Sequence, residues 1–372
     1  MFFSTLTRVR TSFKSVSLKP FTSVVNLPAR AAPRSTTPLC FPTPRLYSTP
    51  STMAATDPKK YLFNHTMLRI KDPKVSVPFY EKHFGMKVLG HYKFEQFKFD
   101  IYYLAYDHPE SPYYGKPVWD RQGVLELTHN YGTENDANYK INNGNVEPHR
   151  GFGHICFSVD NIEKVSADLE NGGVKFQKKL TDGRQKDIAF ALDPDGYWIE
   201  LITNHEAKLV ANETNPSSYR FNHTMLRVKD PKKSIEFYTE KLGMRLFRTS
   251  KHENAKFTLY FLSYDKDFEV NDASRAGDRE GLLELTHNWG TEDEADFSYH
   301  NGNAEPQGFG HLAITVDDIE AACERFNKIG VKFKKQLDEG GMKYIAFILD
   351  PDGYWIEVIP PYNLPLENHA KI

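Results

Sequence analysis

Apolar and polar positions alternate with period two through FNHTMLRI, where His65, Met67 and Arg69 interleave with Thr66, Leu68 and Ile70 as a half-buried strand requires. The pattern turns helical over 74–84, opened by Asp72-Pro73 as an acidic cap with a first-turn proline and stopped by Gly85. Alternating runs return at 86–94, 97–105 and 123–129, so this stretch reads β-α-β-β-β. A second module repeats the order. It has a strand at 152–159, a helix at 161–171 closed by Gly172-Gly173, and strands near 174–180, 186–192 and 197–203, with DPDG at 193–196 as a tight turn. The pattern of 61–203 is then written again over 219–361. Four βαβββ modules in two copies predict an α+β architecture of two tandem domains. Residues 204–218 are polar without alternation and read as a linker, and 362–372 form a C-terminal tail.

The repetition extends to whole phrases. NHTMLR, LELTHN, GFGH and DPDGYWIE open at 64, 125, 151 and 193 and recur at 222, 283, 308 and 350. His65 and His223 are 158 residues apart, as are Glu126 and Glu284, whereas His154 and His311, and Glu200 and Glu357, are 157 apart. One residue was therefore lost between GNVEPHRGFGH and GNAEPQGFGH, as a duplication followed by drift would leave it. A period this long is not that of a solenoid.

Composition adds bounds. The 372 residues suffice for about two domains, and 40% hydrophobic residues with a formal net charge of −2 suit a water-exposed globular chain. Cys40, Cys156 and Cys323 give no disulfide framework, which fits a reducing compartment. Residues 1–56 contain no Asp or Glu, but carry Arg8, Arg10, Lys14, Lys19, Arg30, Arg34 and Arg45 among Ser, Thr and Pro. Such a start is expected to be a mitochondrial transit peptide, cut after Tyr47, with Met53 able to begin a shorter cytoplasmic form. Loss of those seven basic residues leaves a mature chain near −9, which argues against a nucleic-acid partner. No apolar run approaches the roughly 20 residues of a membrane span.

Each copy places His, Glu, His and Glu at matched positions: His65, Glu126, His154 and Glu200, then His223, Glu284, His311 and Glu357. A lone strand histidine is more often a hydrogen-bonded core residue than a ligand. A carboxylate in mid-strand is another matter, because burying it unpaired costs several kcal/mol. Alternation puts Glu126 on the face of Val124 and Thr128, and Glu200 beside Trp198 and Ile202. Two imidazoles and two carboxylates suffice to hold a divalent ion that keeps positions open for substrate.

The phrases NHTMLRIKDP, LELTHNYGTE, GFGHICFSVD and LDPDGYWIEL resemble the lactoylglutathione lyase (glyoxalase I) family of the vicinal oxygen chelate superfamily, in its two-domain monomeric form. The resemblance covers about 61–203 and 219–361 and implies two glyoxalase-like domains. It further implies metal sites shared between halves: one from His65, Glu126, His311 and Glu357, the other from His223, Glu284, His154 and Glu200. Two divalent ions per chain are implied, Zn²⁺ first and Ni²⁺ second, with glutathione as co-substrate. The implied substrate is the methylglyoxal–glutathione hemithioacetal and the product S-D-lactoylglutathione, formed through an enediolate with Glu200 and Glu357 moving the proton.

Substrate contacts implied by the family are Arg69, Asn130 and their repeats Arg227 and Asn288, with Arg150 before GFGH. Arg69 stands four residues beyond His65 on one strand face, about 13 Å away, suiting a grip on the far end of a tripeptide. Gln307 replaces Arg150 in the second copy and Trp289 replaces Tyr131, so the two sites are expected to differ. The lysine pairs Lys178-Lys179 and Lys334-Lys335 are weaker candidates, since such charges usually face solvent. Two other readings exist within the superfamily. An Fe(II) extradiol dioxygenase would lack the second Glu, and a non-catalytic binding module would lack the ligand set.

Overall fold

The computed structural model describes residues 55–183, 185–266 and 276–362; all but the last two residues of the transit-peptide reading of 1–56, and most of the C-terminal tail, lie outside them. The first module comprises β1 (Leu62–Ile70), α1 (Pro73–Phe84), β2 (Lys87–Phe94), β3 (Phe99–Ala105) and β4 (Val124–Asn130). The second comprises β5 (Phe152–Val159), α2 (Ile162–Asn171), β6 (Phe176–Lys178), β7 (Ala189–Leu192) and β8 (Trp198–Thr203). The third has β9 (Arg220–Arg227), α3 (Pro231–Glu236), β10 (Arg245–His252), β11 (Phe257–Ser263) and β12 (Leu282–Asn288). The fourth has β13 (Phe309–Thr315), α4 (Ile319–Lys328), β14 (Lys332–Lys335), β15 (Ala346–Leu349) and β16 (Trp355–Ile359).

Local chemistry explains the boundaries. Asp72 accepts the Lys74 amide at 2.9 Å to start α1, and Gly85 ends it at φ +68°, where a Cβ would be strained. Three expected strands are shorter than the pattern suggested. Glu95–Lys98 closes a turn, with Phe97 N donating to Phe94 O at 2.9 Å, so β3 starts at Phe99. The expected runs at 174–180 and 186–192 shrink to three and four residues, because the polar chain between β6 and β7 turns outward. The linker region is tied down, Asn161 Nδ2 donating to Val210 O at 3.2 Å and Glu213 O at 3.1 Å.

Two eight-stranded sheets result, and neither belongs to one copy. The first runs β14-β15-β16-β13-β1-β4-β3-β2 and the second β10-β11-β12-β9-β5-β8-β7-β6. Module one thus shares a sheet with module four, and module three with module two, joined by antiparallel β1·β13 and β5·β9. The modules of a single copy meet by their helices instead. Tyr80 on α1 donates to Asp193 at 2.8 Å and packs with Phe84 against Phe157. Tyr238 and Asp350 repeat the contact at 3.0 Å. The DPDG turns are therefore docking points as well as turns. One hydrophobic core runs through all four modules, with Phe152 stacked on Phe309 at 5.2 Å between centroids.

Candidate metal centres

At each seam two parallel strand pairs lie side by side, and one ligand comes from each of four adjacent strands. Glu126, His65, His311 and Glu357 project from β4, β1, β13 and β16; Glu284, His223, His154 and Glu200 project from β12, β9, β5 and β8. Both quartets are buried, with candidate ligand atoms all within 4.8 Å of one another. Register shifts flank His65 on β1 and His154 on β5, and such bulges re-aim a side chain.

The distances fit a common ion. In the first centre His65 Nε2 lies 3.0 Å from Glu126 Oε2, 3.2 Å from Glu357 Oε2 and 3.2 Å from His311 Nε2. In the second, His223 Nε2 lies 3.0 Å from Glu200, 3.2 Å from Glu284 and 3.2 Å from His154 Nε2. Ligand bonds of about 2.0–2.2 Å give donor–donor edges of roughly 3.0–3.5 Å.

The histidine tautomer follows from neighbours. Asn64 Nδ2 donates to Val118 O and Arg121 O, both at 2.8 Å, so its Oδ1 must accept, and it accepts from His65 Nδ1 at 2.7 Å. His65 Nε2 is therefore left as a lone pair facing the other ligands. Asn222 does the same for His223, donating to Ala276 O at 2.7 Å and Arg279 O at 2.9 Å and accepting from Nδ1 at 2.8 Å. Sequence reasoning passed over these asparagines, although each immediately precedes its histidine.

The carboxylates divide into two kinds. Thr128 Oγ1 holds Glu126 Oε1 at 3.0 Å, and Thr286 holds Glu284 likewise at 3.0 Å. Two residues beyond Glu357 and Glu200, where the threonines would stand, are Ile359 and Ile202, which offer no such hydroxyl; across the sheet the Cys156 thiol meets Glu200 and Ala313 faces Glu357. Burial opposes charge on Glu126, Glu200 and Glu357, yet the facing imidazoles overcome it and hold all three below the usual carboxylate range. Burial likewise disfavours charge on His311, but Glu126 and Glu357 push it up to about 9. Each centre demands positive charge.

The predicted substrate groups are placed unequally. A cavity of about 750 Å³ opens over the second centre, with Arg150, Arg227 and Asn288 in its lining. Arg227 also donates to Phe152 O at 3.0 Å and Asn145 Oδ1 at 2.8 Å, and Arg69 to Phe309 O at 3.2 Å and Asn303 Oδ1 at 2.8 Å. Both arginines thus fasten the loop before GFGH, a role the spacing did not announce. Arg150 pairs with Glu147 at 3.1 Å, whereas Gln307 turns onto Asn303 O at 3.2 Å. Asn288 meets Tyr299 at 2.9 Å, and Asn130, its repeat, ends β4 half-buried. Lys178 and Lys335 do not simply face solvent. Lys178 holds Ile188 O at 2.5 Å and Lys335 holds Met342 O and Ile345 O at 2.7 Å, pinning the loops beside the centres.

Comparison with known proteins agrees with this geometry. The family model described as Glyoxalase/Bleomycin resistance protein/Dioxygenase superfamily matches residues 62–201 and again 220–358. The chain is 54% identical over 313 residues to glyoxalase I of Saccharomyces cerevisiae, covering 82% of this chain and 94% of that one. It is also 54% identical to the lactoylglutathione lyase of Schizosaccharomyces pombe, covering 82% and 98%. Among solved structures, glyoxalase I from Zea mays superposes with a TM-score of 0.59 at 28% identity, over 81% of this chain and 92% of that one.

Proposed function

Because the chain belongs to the glyoxalase superfamily, we propose that its two buried His₂Glu₂ centres each carry out lactoylglutathione lyase chemistry. The activity is that of a lactoylglutathione lyase, which detoxifies methylglyoxal as its glutathione adduct. The observation that carries the two-centre reading is that both quartets are complete and equally buried.

A bound divalent ion, Zn²⁺ or else Ni²⁺, supplies a Lewis acid that stabilises negative charge developing on the substrate oxygens. His65, Glu126, His311 and Glu357 would hold one ion, and His223, Glu284, His154 and Glu200 the other. The clamps decide the division of labour. Glu126 and Glu284, fastened by Thr128 and Thr286, stay in place, while Glu357 and Glu200, without that hydroxyl, take the proton from one carbon and return it to the next. Arg227, Asn288 and Arg150 grip the glutathione carboxylates in the second centre, and Arg69 and Asn130 in the first. The chain works as a monomer, since each sheet is completed within it, and is imported into mitochondria by its N-terminus, with a cytoplasmic form from Met53.

The test is isomerisation of the methylglyoxal–glutathione adduct by Glu200→Gln, Glu357→Gln and the double variant, beside metal analysis of the purified protein. About two equivalents of metal, partial activity in each single variant and none in the double are expected. Full loss in one single variant with none in the other would refute two working centres.

A further inference from the structure

The two centres have the same ligand types and differ in what stands beyond them. Past His65, on the side away from Arg69, the chain is anchored by Asn64 Nδ2 on Val118 O (2.8 Å) and Thr315 Oγ1 on Trp119 O (2.8 Å). Past His223 the equivalent segment is anchored alike, by Asn222 on Ala276 O (2.7 Å) and Ser158 on Gly277 O. The backbone is held in the same way at both ends, but Trp119 stands in one place and Gly277 in the other. Trp119 is buried, edge-on to Tyr103 with 5.1 Å between centroids, and Tyr103 lies 5.7 Å from the His65 ring.

The exchange is not isolated. Tyr92 leans towards Trp119 at 6.3 Å and covers Gly90, where a Cβ would come within 2.8 Å of its ring. Across the duplication Gly90 and Tyr92 become Arg248 and Ser250, while Met342 and Tyr344, packed against the same aromatic cluster, become Gln185 and Asp187. Gly277, Arg248, Ser250, Gln185 and Asp187 all line the 750 Å³ cavity over the second centre. Four positions thus change together from large and mainly apolar to small or polar, and the fifth, Gly90, becomes the cation Arg248.

We propose that the centres divide the reaction by the aldehyde-derived group: the first takes hemithioacetals with a small apolar substituent, the second those with a longer hydroxylated one, and Trp119 sets the limit. This rests on the lyase reading above. With the glutathione end held towards Arg227 and Asn288, the aldehyde-derived group points the opposite way, towards position 277 in one centre and 119 in the other. Hydroxyls entering the first wall exchange water for aromatic carbon and lose hydrogen bonds, while the second offers donors and acceptors.

The single-centre enzymes test this. Glu357→Gln leaves the second centre working and Glu200→Gln the first. Their kcat/KM values are compared for glutathione adducts of methylglyoxal and of 3-deoxyglucosone, a 2-oxoaldehyde with a hydroxylated chain. The ratio of 3-deoxyglucosone to methylglyoxal is expected to be about tenfold or more higher in Glu357→Gln. Adding Trp119→Gly to Glu200→Gln should raise the ratio by a similar factor. Equal ratios in the two single-centre enzymes would overturn the proposal, and that comparison needs no change at 119 should the glycine variant fail to fold. A normal ratio difference with no effect of a folded Trp119→Gly or Trp119→Leu variant would overturn the role of Trp119. Loss of methylglyoxal turnover in both single-centre enzymes would instead bring down the lyase reading.

Discussion

Asn64→Leu should weaken one metal centre and spare the other. Asn64 is fully buried and makes three hydrogen bonds, to His65 Nδ1 at 2.7 Å and to Val118 O and Arg121 O at 2.8 Å each. A leucine fills similar space but leaves three buried polar groups without partners, each costing about 1–3 kcal/mol, so a stability loss of about 3 kcal/mol or more is expected. That is a sizeable part of the ~5–15 kcal/mol typical of a folded domain, so the variant should fold with a lower melting temperature. Without the acceptor on Nδ1, His65 is free to carry its proton on Nε2, where it cannot ligate. Loss of such an orienting partner lowers metal affinity about 10- to 100-fold.

The assay is titration of the metal-stripped protein with Zn²⁺ in competition with a chromophoric chelator. Wild type should bind two equivalents, and Asn64→Leu one unchanged and one weakened, because His223 keeps its own partner Asn222 at 2.8 Å. Asn64→Asp keeps the acceptor for Nδ1 but loses both donors, so it should be destabilised while retaining both affinities. Two equivalents at wild-type affinity in a folded Asn64→Leu protein would refute the tautomer argument, and equal weakening of both would refute its locality.

Two further outcomes are open to measurement. Glu280 is buried with Oε1 unpartnered, and burial, resisted by Arg220 and Arg121, pushes its pKa up to about 8. The unfolded chain releases that proton near pH 4.3 and the folded chain holds it, so stability falls as pH rises from about 4 to 8, on the order of a few kcal/mol. Glu280→Gln, which copies Gln122 of the first repeat, should therefore raise the melting temperature at pH 8–9 relative to wild type; equal melting of both proteins at pH 5 and pH 9 would rule this out. In the Glu357→Gln background, Arg150→Gln should raise KM roughly three- to tenfold with kcat little changed, since a half-exposed arginine paired with Glu147 adds binding but is partly screened. A fall in kcat at constant KM would place Arg150 in the chemistry instead.

The sequence carried far because duplication wrote every signal twice. Period-two runs, Asp-Pro helix starts and glycine stops marked the elements, and matched His and Glu positions marked the quartets. Strands β6 and β7 came out shorter than their pattern, since periodicity shows which face a residue prefers and not whether a neighbouring strand reaches it. Asn64, Thr128 and Trp119 were not legible as site residues, because each acts on a group through a contact whose geometry exists only when the chain has folded.

What the sequence determined by itself was therefore the modules, their order and the eight ligand-type residues. What the tertiary structure decided was which modules share a sheet and what surrounds each quartet. Strand pairing joins β1 to β13 and β5 to β9 across more than sixty residues of chain, and nothing local distinguishes that exchange from pairing within a copy. The surroundings differ for the same reason: Trp119 and Gly277 are single letters in the sequence, and become part of an aromatic cluster in one case and of a cavity lining in the other only where Thr315 and Ser158 fasten their carbonyls.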